Sequence, residues 1–144
     1  MKLILTVLVA LAGFAFAPCA HAQQTHHFNR KALAAQFDLP IYPTRGHVTN
    51  NEVIVTKNDV IHQLSAVYTF KGKLEKAVAY YTEAFGEPTH KVDDLGRETS
   101  VFKGKDKLSS KVRHRVMVRF DAGAHLVEVT LWKRTYQSAK DADN

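Results

Sequence analysis

Residues 112–134 read VRHRVMVRFDAGAHLVEVTLWKR. Two runs of alternating apolar and polar side chains flank Asp121-Ala122-Gly123-Ala124, the pattern of two antiparallel strands with one face buried. With Ala122-Gly123 as a two-residue loop, Val118 faces Val127, Val116 faces Val129 and His114 faces Leu131. All six then share one face, and the other pairs Arg119 with Leu126, Met117 with Glu128, Arg115 with Thr130 and Arg113 with Trp132. Slipping either strand by one residue would turn its valines to water, so the pattern fixes which face is buried.

Upstream, Leu74, Ala77, Val78, Tyr81 and Phe85 recur at helical spacing, with Lys73, Lys76 and Glu83 elsewhere on the surface. Gly86 is expected to close this helix in a left-handed conformation, with Phe85 in the core, and Pro88 prevents it from resuming. Residues 52–56 and 60–70 are rich in Val, Ile and aromatics around Asn58-Asp59, a hairpin signal. On the second strand Val60, His62, Leu64, Ala66, Tyr68 and Phe70 lie on one side. A further strand is expected over 98–103. Leu33, Ala34 and Phe37 give a short helix over 30–39, Pro40 and Pro43 force an extended stretch, and 44–51 reads as loop. The fold class is α+β: an antiparallel sheet of about five strands, one main helix on one face and a short N-terminal helix.

Residues 1–22 stand apart. Lys2 precedes a nearly continuous apolar run to Phe16, Pro18 ends it, and Ala20-His21-Ala22 presents small residues to a signal peptidase. A secretory signal peptide cut after Ala22 is expected, followed by a polar, unordered stretch over 23–29 and a polar tail over 137–144. The lone Cys19 follows Phe16-Ala17-Pro18, which is not a lipobox. The run is too short to span a bilayer, so no transmembrane segment is expected and the localisation is periplasmic or secreted. Of the 20 Lys and Arg only Lys2 precedes residue 23, leaving 19 basic against 14 acidic side chains, a net charge of +5. One cysteine, inside the expected signal peptide, excludes disulfide scaffolds, thiol catalysis and zinc ribbons from the rest. The domain itself is assigned to 52–136, preceded over 23–51 by polar segment, short helix and loop.

From the helix at Ala77–Phe85 through Gly86-Glu87-Pro88-Thr89, the aromatic strand at Val101-Phe102 and the hairpin of 116–132, the chain resembles the small outer-membrane-assembly lipoproteins of the SmpA type. The resemblance covers residues 74–133. It departs in lacking a lipobox and in placing a hairpin at 52–70 where those proteins have a second helix. It implies an exported accessory module without chemistry, and it carries over no functional residue.

Catalytic patterns are missing from the sequence. No serine has a Gly-x-Ser-x-Gly setting, no phosphate-binding loop is present, and Asp93-Asp94 read as turn acids. Seven histidines follow residue 22, and none shows strong metal-ligand spacing. No cofactor is implied. The patterned charges are basic: Lys103, Lys105, Lys107 and Lys111 precede the 112–120 strand, and Arg113, Arg115 and Arg119 alternate along it with Trp132 expected across from Arg113. This face either stays polar for solubility or meets an anionic envelope component or envelope protein. Nucleic acid is a poor partner for an exported chain. The function expected is a non-catalytic binding or accessory module of the bacterial cell envelope; the alternative is a small periplasmic enzyme with scattered catalytic groups.

Overall fold

The computed structural model describes residues 26–53, 60–92, 96–106 and 109–143. Its strands are β1 (His26–His27), β2 (His47–Val53), β3 (Val60–Phe70), β4 (Thr89–Val92), β5 (Glu98–Lys105), β6 (Val112–Asp121) and β7 (Leu126–Tyr136). The helices are α1 (Arg30–Phe37), α2 (Leu74–Phe85) and α3 (Ala139–Asp143). All strands join one antiparallel sheet in the order β1-β2-β3-β7-β6-β5-β4. After the β2–β3 hairpin, α2 carries the chain over the sheet to its far edge. The strands β4 to β7 then meander back until β7 pairs with β3. The α+β class with one main helix is what the sequence led us to expect.

The five expected strands are present, and two short edges add to them. The two residues of β1 pair with Val48 and His47, so part of the stretch expected to be unordered is a sheet edge. The four residues of β4 are all exposed and pair with Glu98–Val101. Such short, polar edges carry no periodic signal, because the partner strand supplies their order. Likewise β2 begins at His47 rather than at 52, since ladder bonds to β3 override the turn preference of Asn50-Asn51. The Asn58-Asp59 turn lies outside the described residues.

Each helix is set by local chemistry. The Asn29 side chain accepts a hydrogen bond from the Ala32 N–H at 3.1 Å and starts α1, and Asp38 at φ 53° ends it. In α2, Ala77 and Tyr81 are fully buried, one turn apart. Gly86 has the positive φ expected of glycine, 82°, but its ψ of −170° is extended, so the chain runs straight from the helix into β4. Phe85 is half-buried, stacked on Tyr81 and beside Phe102.

One core lies between α1, α2 and a single sheet face. It joins Leu33, Phe37, Leu39 and Ile41 to Tyr68, Phe70, Phe102, Val116, Val118, Val127, Val129 and Leu131. Inside it the Tyr68 and Tyr81 hydroxyls are 2.7 Å apart, and the Tyr42 N–H donates to Tyr81 Oη at 3.3 Å. This ties β3, α2 and the Pro40–Pro43 stretch together, because buried hydroxyls need partners. Burial pushes the Tyr81 phenol up to about 12 and Tyr68 higher still.

The β6–β7 register corrects the sequence reading by two residues. Val118 faces Val129, Val116 faces Leu131 and His114 faces Lys133, so the loop is the four residues 122–125. A shift of two keeps every side chain on its expected face. Two features favour it: Asp121 Oδ1 accepts from the Gly123 and Ala124 N–H groups at 2.9 and 3.1 Å, and Arg119 meets Glu128 at 2.6 Å; the turn closes with His125 at a φ of 54°. The Asp121 turn satisfies loop amides that a two-residue connection would place differently.

Candidate functional site, a basic groove on the open sheet face

The face opposite α1 and α2 carries the arginines. Directly opposed residues on paired strands point to the same side, so the ladder assembles two neighbouring rows across β5, β6, β7 and β3. One is Lys105–Arg113–Arg134–Gln63 and the next is Lys103–Arg115–Trp132–Ser65. Two residues along each strand separate them, about 7 Å. The β5, β6 and β7 members of these rows, together with Tyr136, Ala142 and Asp143, line a groove of about 560 Å³.

Five cationic side chains therefore share a small area, and like charges directly opposed are unfavourable. Neighbouring groups compensate. Two guanidinium groups lie over the Trp132 ring, with Arg115 Cζ 5.3 Å and Arg134 Cζ 5.6 Å from its centroid. Arg134 Nε donates to Gln63 Oε1 at 2.6 Å. Arg113 Nη1 donates to the Ser110 and Val112 carbonyls, and its Nη2 donates to Asp143 at 2.5 Å. Lys105 Nζ reaches the same carboxylate oxygen at 2.9 Å. Hydrogen bonds from Lys105 and Arg113 hold the Asp143 carboxyl below the usual carboxylate range.

The carboxylate arrives on α3, within the stretch read as a polar tail. Ser138 caps that helix, its hydroxyl donating to Asp141 Oδ2 at 2.5 Å and accepting from the Asp141 N–H at 3.2 Å. So α3 folds back on β6 and β7.

Arg113, Arg115, Trp132 and Lys105 of the sequence-derived site come together in the groove. Trp132 faces Arg115, not Arg113, a direct result of the two-residue shift. Arg119 does not join them: it stands four residues beyond Arg115, about 13 Å along the strand, and is paired with Glu128. Lys107 lies outside the described residues. Arg134 was missed. Its signal was its alternation with Trp132, which only the correct register places opposite Arg113.

On the helix side of the same strand, His114 is only 5% exposed and its Nε2 has no hydrogen-bond partner. Burial draws its pKa below the usual imidazole value, against the opposing pull of Asp106. No helix among the described residues is long and apolar enough to cross a membrane. No protein-family model, curated protein sequence or solved structure matches the chain.

Proposed function

We propose that the protein is an exported, non-catalytic binding module of the bacterial cell envelope that takes an anionic group into the groove around Trp132. The observation that carries this reading is the carboxylate of Asp143, held jointly by Arg113 and Lys105 among five cations. A surface kept polar only for solubility interleaves both signs, as Arg119 and Glu128 do farther along the sheet. Around Trp132 the cations are concentrated, and the pairing of the chain's own Asp143 with two of them supports oxyanion binding. Planar guanidinium groups suit carboxylate and phosphate geometry, and the indole offers a flat apolar wall beside them. The expected signal peptide and the resemblance of residues 74–133 to SmpA-type envelope lipoproteins support an envelope location. Phosphate-bearing headgroups and acidic protein segments both fit the chemistry.

Co-sedimentation with vesicles of phosphatidylglycerol and phosphatidylcholine tests the reading. Binding to the mixed vesicles, none to pure phosphatidylcholine, and at least tenfold weaker binding by Arg113→Gln/Arg115→Gln are expected. Asp143→Asn frees two cations and should bind more tightly. If neither these vesicles nor an acidic peptide binds, or if the double variant binds as the parent does, the groove is only a solvated surface.

A further inference from the structure

On the helix side of the sheet, three potential metal donors converge from three separate elements. Asp38 ends α1 in a left-handed conformation, Asp106 follows β5, and His114 lies within β6. One oxygen of each carboxylate and one imidazole nitrogen lie within 4.8 Å of one another. His114 is the buried member, and its Nε2, shielded from solvent, has no hydrogen-bond partner. A buried ring nitrogen without a partner is costly in a core otherwise satisfied, and a cation beside two carboxylates would relieve it.

We infer that Asp38, Asp106 and His114 form a binding site for a divalent transition-metal ion of the Zn²⁺ class. The donor set selects the ion. Imidazole nitrogen favours zinc and its neighbours over calcium and magnesium, which prefer oxygen alone. Bonds of about 2.0–2.2 Å in a tetrahedral site put donors about 3.4 Å apart. The two carboxylates must therefore close in on the ion. Asp38 can do so, because its side chain is 54% exposed, whereas His114 is fixed by the strand. Asp106 is steadied by the β5–β6 loop, its Oδ1 accepting from the Ser109 N–H at 3.1 Å. Three protein donors leave a fourth position for water or a ligand atom.

Lys133 sets the affinity. It faces His114 across the β6–β7 ladder, and its Nζ bonds Asp38 Oδ2. The ammonium thus competes with the ion for one carboxylate and repels it.

The test is titration of the full chain with Zn²⁺, followed by calorimetry, and with Co²⁺, followed by visible d–d absorption. One ion per chain is expected, with a Co²⁺ spectrum showing mixed nitrogen and oxygen donors. Asp106→Asn should weaken Zn²⁺ binding about tenfold or more, and Lys133→Met should strengthen it by a similar factor. His114→Gln should abolish it; if that variant fails to fold, the first two still decide. His26→Ala/His27→Ala should leave this binding unchanged. The inference is overturned if neither the parent nor Lys133→Met binds Zn²⁺, or if Asp106→Asn binds as the parent does.

Discussion

The Tyr68–Tyr81 pair can be dissected by a double-mutant cycle. Both side chains are fully buried, and their hydroxyl oxygens are 2.7 Å apart. Tyr81 also accepts from the Tyr42 N–H, so Tyr81→Phe strips a partner from one buried and one partly buried group at once. Leaving a buried polar group unsatisfied costs about 1–3 kcal/mol, which puts Tyr81→Phe at about 2–3 kcal/mol. Tyr68→Phe leaves the Tyr42 bond in place and should cost about 1 kcal/mol. Because the shared hydrogen bond can be lost only once, the double variant should cost less than the sum by about 0.5–1.5 kcal/mol. Urea unfolding followed by circular dichroism reads all four corners. For a chain of this size each kcal/mol also lowers Tm by about 3–5 °C. Strict additivity, or a Tyr81→Phe variant as stable as its parent, would refute the claim that this bond ties β3 to α2.

The same phenols predict an alkaline limit. Their folded pKa values are raised, Tyr81 from 10.0 to about 12, so above pH 10 the unfolded state loses protons that the folded state keeps. That stability is fully present below pH 10 and declines as pH rises toward 12, by about 1.4 kcal/mol per pH unit for each phenol; Tyr81→Phe should flatten the decline in unfolding curves taken from pH 9 to 11.5. Gly46→Ala would drive its Cβ into the Thr69 carbonyl oxygen and should cost about 3 kcal/mol, because backbone cannot step aside. Gly104→Ala meets the edge of the Phe85 ring at 2.9 Å, which can turn away, so about 1 kcal/mol is expected by the same unfolding assay. Asp121→Ala removes the acceptor for two loop amides and should cost about 1 kcal/mol, with the Val118–Val129 pairing retained in NMR cross-strand contacts.

What was legible in the sequence had periodicity behind it. The spacing of Leu74, Ala77, Val78, Tyr81 and Phe85 gave α2, and the valines of 112–129 gave the buried face of the last hairpin. The exact partner of each residue was not legible, since a shift of two leaves every face unchanged. The Asp121 turn and the Arg119–Glu128 pair decide the register, and neither has a pattern of its own. That error carried into the site: it set Trp132 against Arg113 and hid Arg134. The fold-back of Asp143 was also out of reach, because five residues, Ala-Lys-Asp-Ala-Asp, with no large apolar stripe read as tail. His114 looked like one more alternating residue. Its neighbours Asp38 and Asp106 stand 76 and 8 positions before it in the chain, and only tertiary packing brings the three together.

The central claim is that the groove around Trp132 binds an anion through Arg113, Arg115 and their neighbours. Trp132 is the chain's single tryptophan, so its fluorescence reports on that groove alone. Titrating phosphatidylglycerol vesicles into the protein at low salt should change this fluorescence saturably. The change should vanish as salt approaches 1 M, where the Debye length falls to about 3 Å, and should be strongly reduced in Arg113→Gln/Arg115→Gln. Vesicle binding that leaves Trp132 fluorescence unaltered, or that persists undiminished at 1 M salt, would contradict the account.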